Sequence, residues 1–166
     1  AVMARRVRRT FCAVRPPGHH AETDQALGFC LFNHVAIAAE HLVRRHQLSR
    51  VAIVDFDVHH GNGTQHIFES RRDVFYISLH ECPGSLEFPG TGYADETGSG
   101  DGQGYTLNVP LDRGSGEAEY RAALEQQVLP ALDAYRPQFI LLSAGFDALM
   151  WDRVAHLSLG HLPFAG

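Results

Sequence analysis

The stretch VAIVDFDVHHGNG, Val51 to Gly63, decides the fold. Its first half is β-branched and almost unbroken in apolar character, the pattern of a parallel strand covered on both faces. Its second half turns abruptly to aspartate, histidine and glycine, which puts chemistry at the end of a buried strand, where open α/β sheets bind their ligands. In an extended strand end alternate residues share a side. Asp55, Asp57 and His59 therefore face one cavity, while Phe56 and Val58 face the core. This is the ground for preferring His59 to His60 as a metal ligand.

Outward from this stretch, strand and helix patterns alternate. Upstream, LGFCLFNHVAIAAEHLVRRH (27–46) has helical spacing from about Asn33, and FCAV (11–14) reads as a short apolar strand. Downstream come a short helix at 64–69 and a second buried strand, VFYISLH (74–80). A loop rich in Gly, Pro, Ser, Thr and Asp (81–104) follows, and loops of that length in compact domains tend to be functional. YTLNVPL (105–111) resumes as strand, GEAEYRAALEQQVLPALDAY (116–135) is the clearest amphipathic helix, and QFILLSAGFDA (138–148) is a strand running into a glycine turn. The alternation predicts an α/β fold, a mainly parallel sheet in a three-layer α-β-α arrangement.

Of the 166 residues 45% are hydrophobic, enough for one packed core, and no linker or repeat divides the chain, so residues 1–166 are read as a single domain. The net charge of -5 argues against direct nonspecific nucleic-acid binding. All 14 basic residues are arginine, and the cluster Arg5 to Arg9 reads as a solvated face. No run approaches the ~20 apolar residues that span a bilayer, and the first residues lack the apolar stretch of a signal peptide. A cytoplasmic protein is expected, with no membrane partner; nothing in the sequence speaks to its oligomeric state. Cys12, Cys30 and Cys82 form no C-x-x-C pair, so neither a disulfide framework nor a cysteine zinc site is indicated. The 11 histidines are the unusual feature, several standing beside aspartate and glycine.

Four polar clusters follow the apolar segments: RPPGHHAE, DFDVHHGNG, SLHECPGSLEFPGTG and SAGFDA. Two carboxylates and an imidazole at one strand end call for a cation between them. Asp147 of SAGFDA would complete an Asp/His/Asp set, and three protein ligands plus an open position is the pattern of a catalytic zinc. Read alone, Asp55 and Asp57 serve equally well as caps beside surface histidines; the other clusters tip the balance toward metal. Pro16, Pro17 and Gly18 stiffen and unburden the approach to His19 and His20, which suits two imidazoles in a pocket. Phe29 and Phe88 each stand near glycine; either alone is more often a core residue, but two aromatics on loops at the active edge could form the walls of a narrow apolar channel for an alkyl chain. Glu87 beside Phe88 would favour a cationic substrate, although a loop glutamate is more often merely exposed.

At these residues the chain resembles the arginase/deacetylase-fold family of zinc-dependent histone deacetylases, bacterial histone-deacetylase-like amidohydrolases and acetylpolyamine amidohydrolases. RPPGHHA, GFCLFN, DFDVHHGNGTQ, SLH, FPGTG and SAGFDA resemble successive family motifs in order, from about Arg15 to Ala148. SAGFDA and HHGNG are more similar to class II enzymes and their bacterial relatives than to class I. The resemblance implies zinc held by Asp57, His59 and Asp147, with tandem catalytic histidines His19 and His20 backed by Asp55 and Asn62 respectively. It also implies a potassium ion at Asp55, Asp57, His59, Ser78 and Leu79, partly through backbone oxygens, and tunnel phenylalanines Phe29 and Phe88. The implied reaction is hydrolysis of an acetylated amine, acetyl-lysine or an acetylpolyamine, with His20 as the base. Relatives place an oxyanion-stabilising tyrosine in a Gly-rich motif after SAGFDA and have a longer domain at both ends. No Gly-Gly-Gly-Tyr occurs in these 166 residues, so the resemblance implies part of a domain. The competing expectation is a catalytically weak or inactive metal- or acyl-amine-binding fragment. A binuclear manganese site on the same fold would want further aspartates near His19, His20 or Asp147.

Overall fold

A computed structural model describes residues 1–84, 88–153 and 155–160. Helix α1 (His34–His46) is followed by β1 (Val51–Asp55), α2 (Asn62–Phe68), β2 (Val74–Glu81), β3 (Thr106–Leu111), α3 (Glu117–Ala123), α4 (Leu129–Tyr135) and β4 (Phe139–Ser143). The four strands form one parallel sheet in the order β3-β2-β1-β4. The chain thus steps outward from β1 to β2 and β3, then returns to the opposite side of β1. The reversal makes the β1/β4 junction a topological switch point, where such sheets open a crevice at their carboxyl ends.

Alternation along the strands explains the layers. Val51, Ile53, Val74 and Tyr76 face α1 and join Ala36, Ala39, Leu42 and Phe68 in one core. Val54, Phe75, Ile77 and Leu79 face the other way, into a core with Tyr120, Ala123 and Val128. Both faces of β1 and β2 are covered, which is why their sequences are continuous apolar runs rather than alternating ones.

Helix α1 begins where its cap allows. The Asn33 side chain accepts the Ala36 N–H, and the helix stops at Gln47, whose N–H reaches Leu42 O and whose left-handed φ of 55° turns the following Leu48 N–H to the same carbonyl at 3.3 Å. Between α3 and α4, Leu124–Val128 forms a π-type turn immediately before Pro130. A proline ring clashes with the carbonyl four residues earlier in a regular helix, and a widened turn accommodates it.

The predicted 116–135 helix is therefore present with an irregular middle. The reading of 11–14 as a strand is corrected: FCAV has no regular structure and lies at the surface. Apolar character over four residues is too little to mark a strand without a partner to hydrogen-bond. The Arg5 to Arg9 segment is exposed. No described helix is long and apolar enough to cross a membrane.

Candidate active site

Asp55 is the last residue of β1 and fully buried. Beyond it the chain bends, but sides still alternate: Phe56 and Val58 enter the core while Asp57 and His59 stay partly open. Across the switch point, the segment after β4 delivers Asp147, whose Oδ1 accepts the Val58 N–H at 3.0 Å. His59 Nδ1 lies 3.0 Å from Asp147 Oδ2 and 3.2 Å from Asp57 Oδ1. One ligand atom from each of Asp57, His59 and Asp147 falls within 4.8 Å of the others. Burial opposes protonation of His59, but its hydrogen bonds to Asp147 and Asp57 and their charges win, carrying its pKa to about 10. A mixed nitrogen and oxygen donor set that draws a positive charge so strongly, and remains open to solvent on one side, fits a divalent cation.

His19 and His20 reach the same place without a strand. Asn33 Nδ2 donates to Ala21 O at 3.2 Å and to Thr64 Oγ1 at 3.1 Å, and Thr64 N–H donates to His19 O at 3.1 Å. The α1 cap and the first turn of α2 therefore clamp residues 19–21 between them. Gly63 permits the approach, since a Cβ there would meet Ala21 O at 2.2 Å.

The two imidazoles stand 4.0 Å apart, centroid to centroid, in opposite environments. His19 Nδ1 pairs with Asp55 Oδ2 at 3.0 Å. Burial pulls its pKa down, yet the Asp55 charge and hydrogen bond, helped by Asp57 and Asp147, raise it to about 9. His20 Nδ1 pairs with Asn62 Oδ1 at 2.8 Å. Burial, reinforced by the neighbouring His19, pushes it down to about 4 despite the Asn62 hydrogen bond. Near neutral pH one ring is cationic and the other neutral.

Phe88 stacks edge-on to His20 with centroids 4.7 Å apart. Phe29 sits at φ 63° after Gly28 at φ 52°. Residues 27–30 close on themselves through paired Leu27 and Cys30 backbone hydrogen bonds, forming a mirror-image tight turn. A bulky residue in that region costs about 1–3 kcal/mol, and here the turn leaves the Phe29 ring 93% exposed. Gly28 itself lies against His20, where a Cβ would come within 2.4 Å of Cδ2. Asp55 and Ser78 are register partners on adjacent strands, and both are buried. Ser78 Oγ meets His80 Nδ1 at 2.8 Å, while Leu79 is part of the core. Glu87 lies outside the described residues.

Several contributors were not singled out from the sequence. Tyr76 is wholly buried in β2; its hydroxyl accepts the Gly61 N–H at 3.1 Å and reaches Asp55 Oδ2 at 3.4 Å. Gly145 lets the β4 loop press on Asp57. His60 turns away from the cluster, with Nδ1 on Thr91 Oγ1 at 2.8 Å and Nε2 on Gln65 Oε1 at 2.9 Å. Glu96 accepts the Gly92 and Tyr93 N–H groups and the Gln65 amide, fixing the loop that carries Phe88. The glycines of HHGNG and SAGFDA were the available signal for Tyr76 and Asp57 crowding, whereas nothing local marks Glu96.

Residues 1–165 match the histone deacetylase domain family, and the chain belongs to that family. Over 144 residues it is 56% identical to a probable deacetylase of Methanothermobacter thermautotrophicus, covering 86% of this chain and 43% of that protein. It superimposes on the crystal structure of the HDA15 HD domain with a TM-score of 0.90 and 47% identity, covering 95% of this chain and 46% of that one. An acetylpolyamine aminohydrolase from Burkholderia pseudomallei aligns with a TM-score of 0.82 and 43% identity, over 87% of this chain and 41% of that chain. The chain thus spans less than half the length of these relatives, and its architecture is the α/β arginase/deacetylase fold.

Proposed function

We propose that residues 1–166 form part of a catalytic domain that hydrolyses the amide of an acetylated long-chain amine, acetyl-lysine or an acetylpolyamine, with zinc as its metal. The observation that carries this reading is the convergence of His19, paired with Asp55 Oδ2 at 3.0 Å, and His20, paired with Asn62 Oδ1 at 2.8 Å, on the Asp57, His59 and Asp147 cluster. Asp57, His59 and Asp147 would hold the ion, which when bound supplies electrophilic polarisation of a carbonyl and acidifies water. Asp55, Asp57, His59, Ser78 and Leu79 would hold potassium, partly through backbone oxygens.

The protein's own groups divide the remaining work. His20 donates Nδ1–H to Asn62 and leaves Nε2 to accept a proton from the attacking water. That proton then passes to the departing amine as the C–N bond breaks, releasing acetate. His19 is held by the Asp55 carboxylate, which favours its charged form, so it would serve as electrostatic support that stabilises the negative charge growing on the carbonyl oxygen. Phe88 and Phe29 would flank an alkyl chain leading to the amide.

The test is acetate release from an acetyl-lysine peptide and from an N-acetylated polyamine by the zinc-loaded protein. Release from either, abolished by His20→Ala with zinc retained, supports the reading. Acetate release undiminished in His20→Ala, or protein that binds no zinc, overturns it.

A further inference from the structure

Asn62 and His66 lie one turn apart on the same face of α2, and both close on a single carboxylate oxygen, Glu22 Oε1. Asn62 Nδ2 donates to it at 2.6 Å and His66 Nδ1 meets it at 2.9 Å. On its other side, Asn62 Oδ1 meets His20 Nδ1 at 2.8 Å. A continuous chain of hydrogen bonds therefore runs from His66, which is 44% exposed, through Glu22 and Asn62 to His20.

The polarity of that chain is forced from the Glu22 end. An ionised carboxylate only accepts hydrogen bonds, whereas an amide has one accepting and one donating end. With Glu22 in place, Asn62 must present Nδ2 to it, because the reversed amide would set two oxygens against each other. Oδ1 is then the only group left for His20, and an amide oxygen can only accept. His20 must put its proton on Nδ1, which leaves Nε2 bare. Asn62 alone cannot impose this, since a reversed amide would serve His20 equally well as a donor to an unprotonated Nδ1.

We propose that Glu22 is a positioning residue that sets the tautomer of His20 through the orientation of the Asn62 amide. A charge-neutral partner for His20 thereby does the orienting job of a carboxylate, with the negative charge moved one hydrogen bond further away. The tautomer claim stands on the geometry alone; its consequence for turnover rests on the function proposed above.

The decisive comparison is between Glu22→Gln and Glu22→Asp in the full 166-residue chain. Glutamine keeps the size and the hydrogen bonds but, like asparagine, points either way, so the polarity of the chain is no longer imposed. Aspartate keeps the acceptor-only character. The readout is the pair of ¹⁵N imidazole resonances of His20 at neutral pH, assigned by their loss in His20→Ala. The expected result is a protonated Nδ1 and bare Nε2 in the wild type and in Glu22→Asp, and a mixture of tautomers or a reversed one in Glu22→Gln. A single Nδ1–H tautomer surviving in Glu22→Gln overturns the proposal. On an acetyl-lysine substrate, Glu22→Gln should lower kcat about 10-fold with KM unchanged, and Glu22→Asp should restore most of it. The imidazole spectrum decides the role of Glu22 whether or not this chain releases acetate, and zinc binding together with the effect of His20→Ala on turnover decides the proposed function separately.

Discussion

Asp57 lies directly against Gly145: a Cβ at position 145 would sit 2.1 Å from Asp57 Oδ2 and 2.7 Å from its Cα. Rotating the carboxylate cannot relieve a clash that also involves the backbone. Gly145→Ala should therefore displace Asp57 from the cluster, at a cost of about 1–3 kcal/mol in folding free energy and a ~10–100-fold loss of zinc affinity. Urea unfolding and a zinc titration check this. Zinc affinity equal to that of the wild type would show that Asp57 is not held where the metal needs it.

His20→Ala should lower turnover by about 10²–10⁴-fold, the usual range for a positioned base, while leaving zinc binding unchanged. His19→Ala should be damaging but less so, because it removes a supporting charge rather than the proton acceptor. Steady-state kinetics with metal analysis on both variants separates the roles. Near-normal turnover in His20→Ala excludes it as the base.

Tyr76→Phe deletes one oxygen that links β2 to the HHGN segment. The Gly61 N–H and Asp55 Oδ2 lose a partner in a fully buried place. The expected cost is about 1–3 kcal/mol, read as a shift in the urea midpoint with an unchanged slope. A variant as stable as the wild type would mean that this hydroxyl contributes nothing net to holding Asp55.

The convergence of Asp57, His59 and Asp147 was legible because much of it is encoded locally. Period-two alternation through Asp55, Asp57 and His59, together with an apolar run long enough to be a strand, is sufficient to predict three facing side chains. The place of Asp147 followed from a second strand end of the same kind. What was not legible depends on contacts made through space. Residues 19–21 are held by Asn33 and Thr64, not by a preceding strand, so FCAV was misread. Glu22 and Glu96 look like ordinary loop acids because the side-chain partners that tie them to the site, Asn62 and Gln65, lie 40 and 31 residues away. The π-type turn before Pro130 is a backbone adjustment that residue periodicity does not record.

Acid should destabilise the fold in a window set by buried neutral histidines. Burial, reinforced by the neighbouring His80, pushes the His60 pKa down to about 2, and burial also lowers that of His80. Both bind a proton more readily in the unfolded chain. Their contribution to stability is complete above the unfolded value near 6.5 and is lost as pH falls below it, by up to about 1.4 kcal/mol per pH unit for each ring. His19 and His59, whose pKa values are raised, work in the opposite direction above pH 6.5 and are protonated in both states below it. Urea midpoints measured between pH 6 and 5 in the presence of a chelator should therefore fall with pH, and less steeply in His60→Gln. Identical slopes in the two proteins would contradict the assignment of His60 as a buried neutral group.

The most direct test of the central claim is zinc stoichiometry by titration calorimetry and elemental analysis on three proteins: wild type, Asp147→Ala and Asp152→Ala. Asp147 supplies an oxygen 3.0 Å from His59 Nδ1, whereas the exposed Asp152 stands outside the cluster. About one zinc per chain is expected in the wild type and in Asp152→Ala, as for a three-ligand site, and none in Asp147→Ala. Equal zinc retention in Asp147→Ala and Asp152→Ala would contradict it.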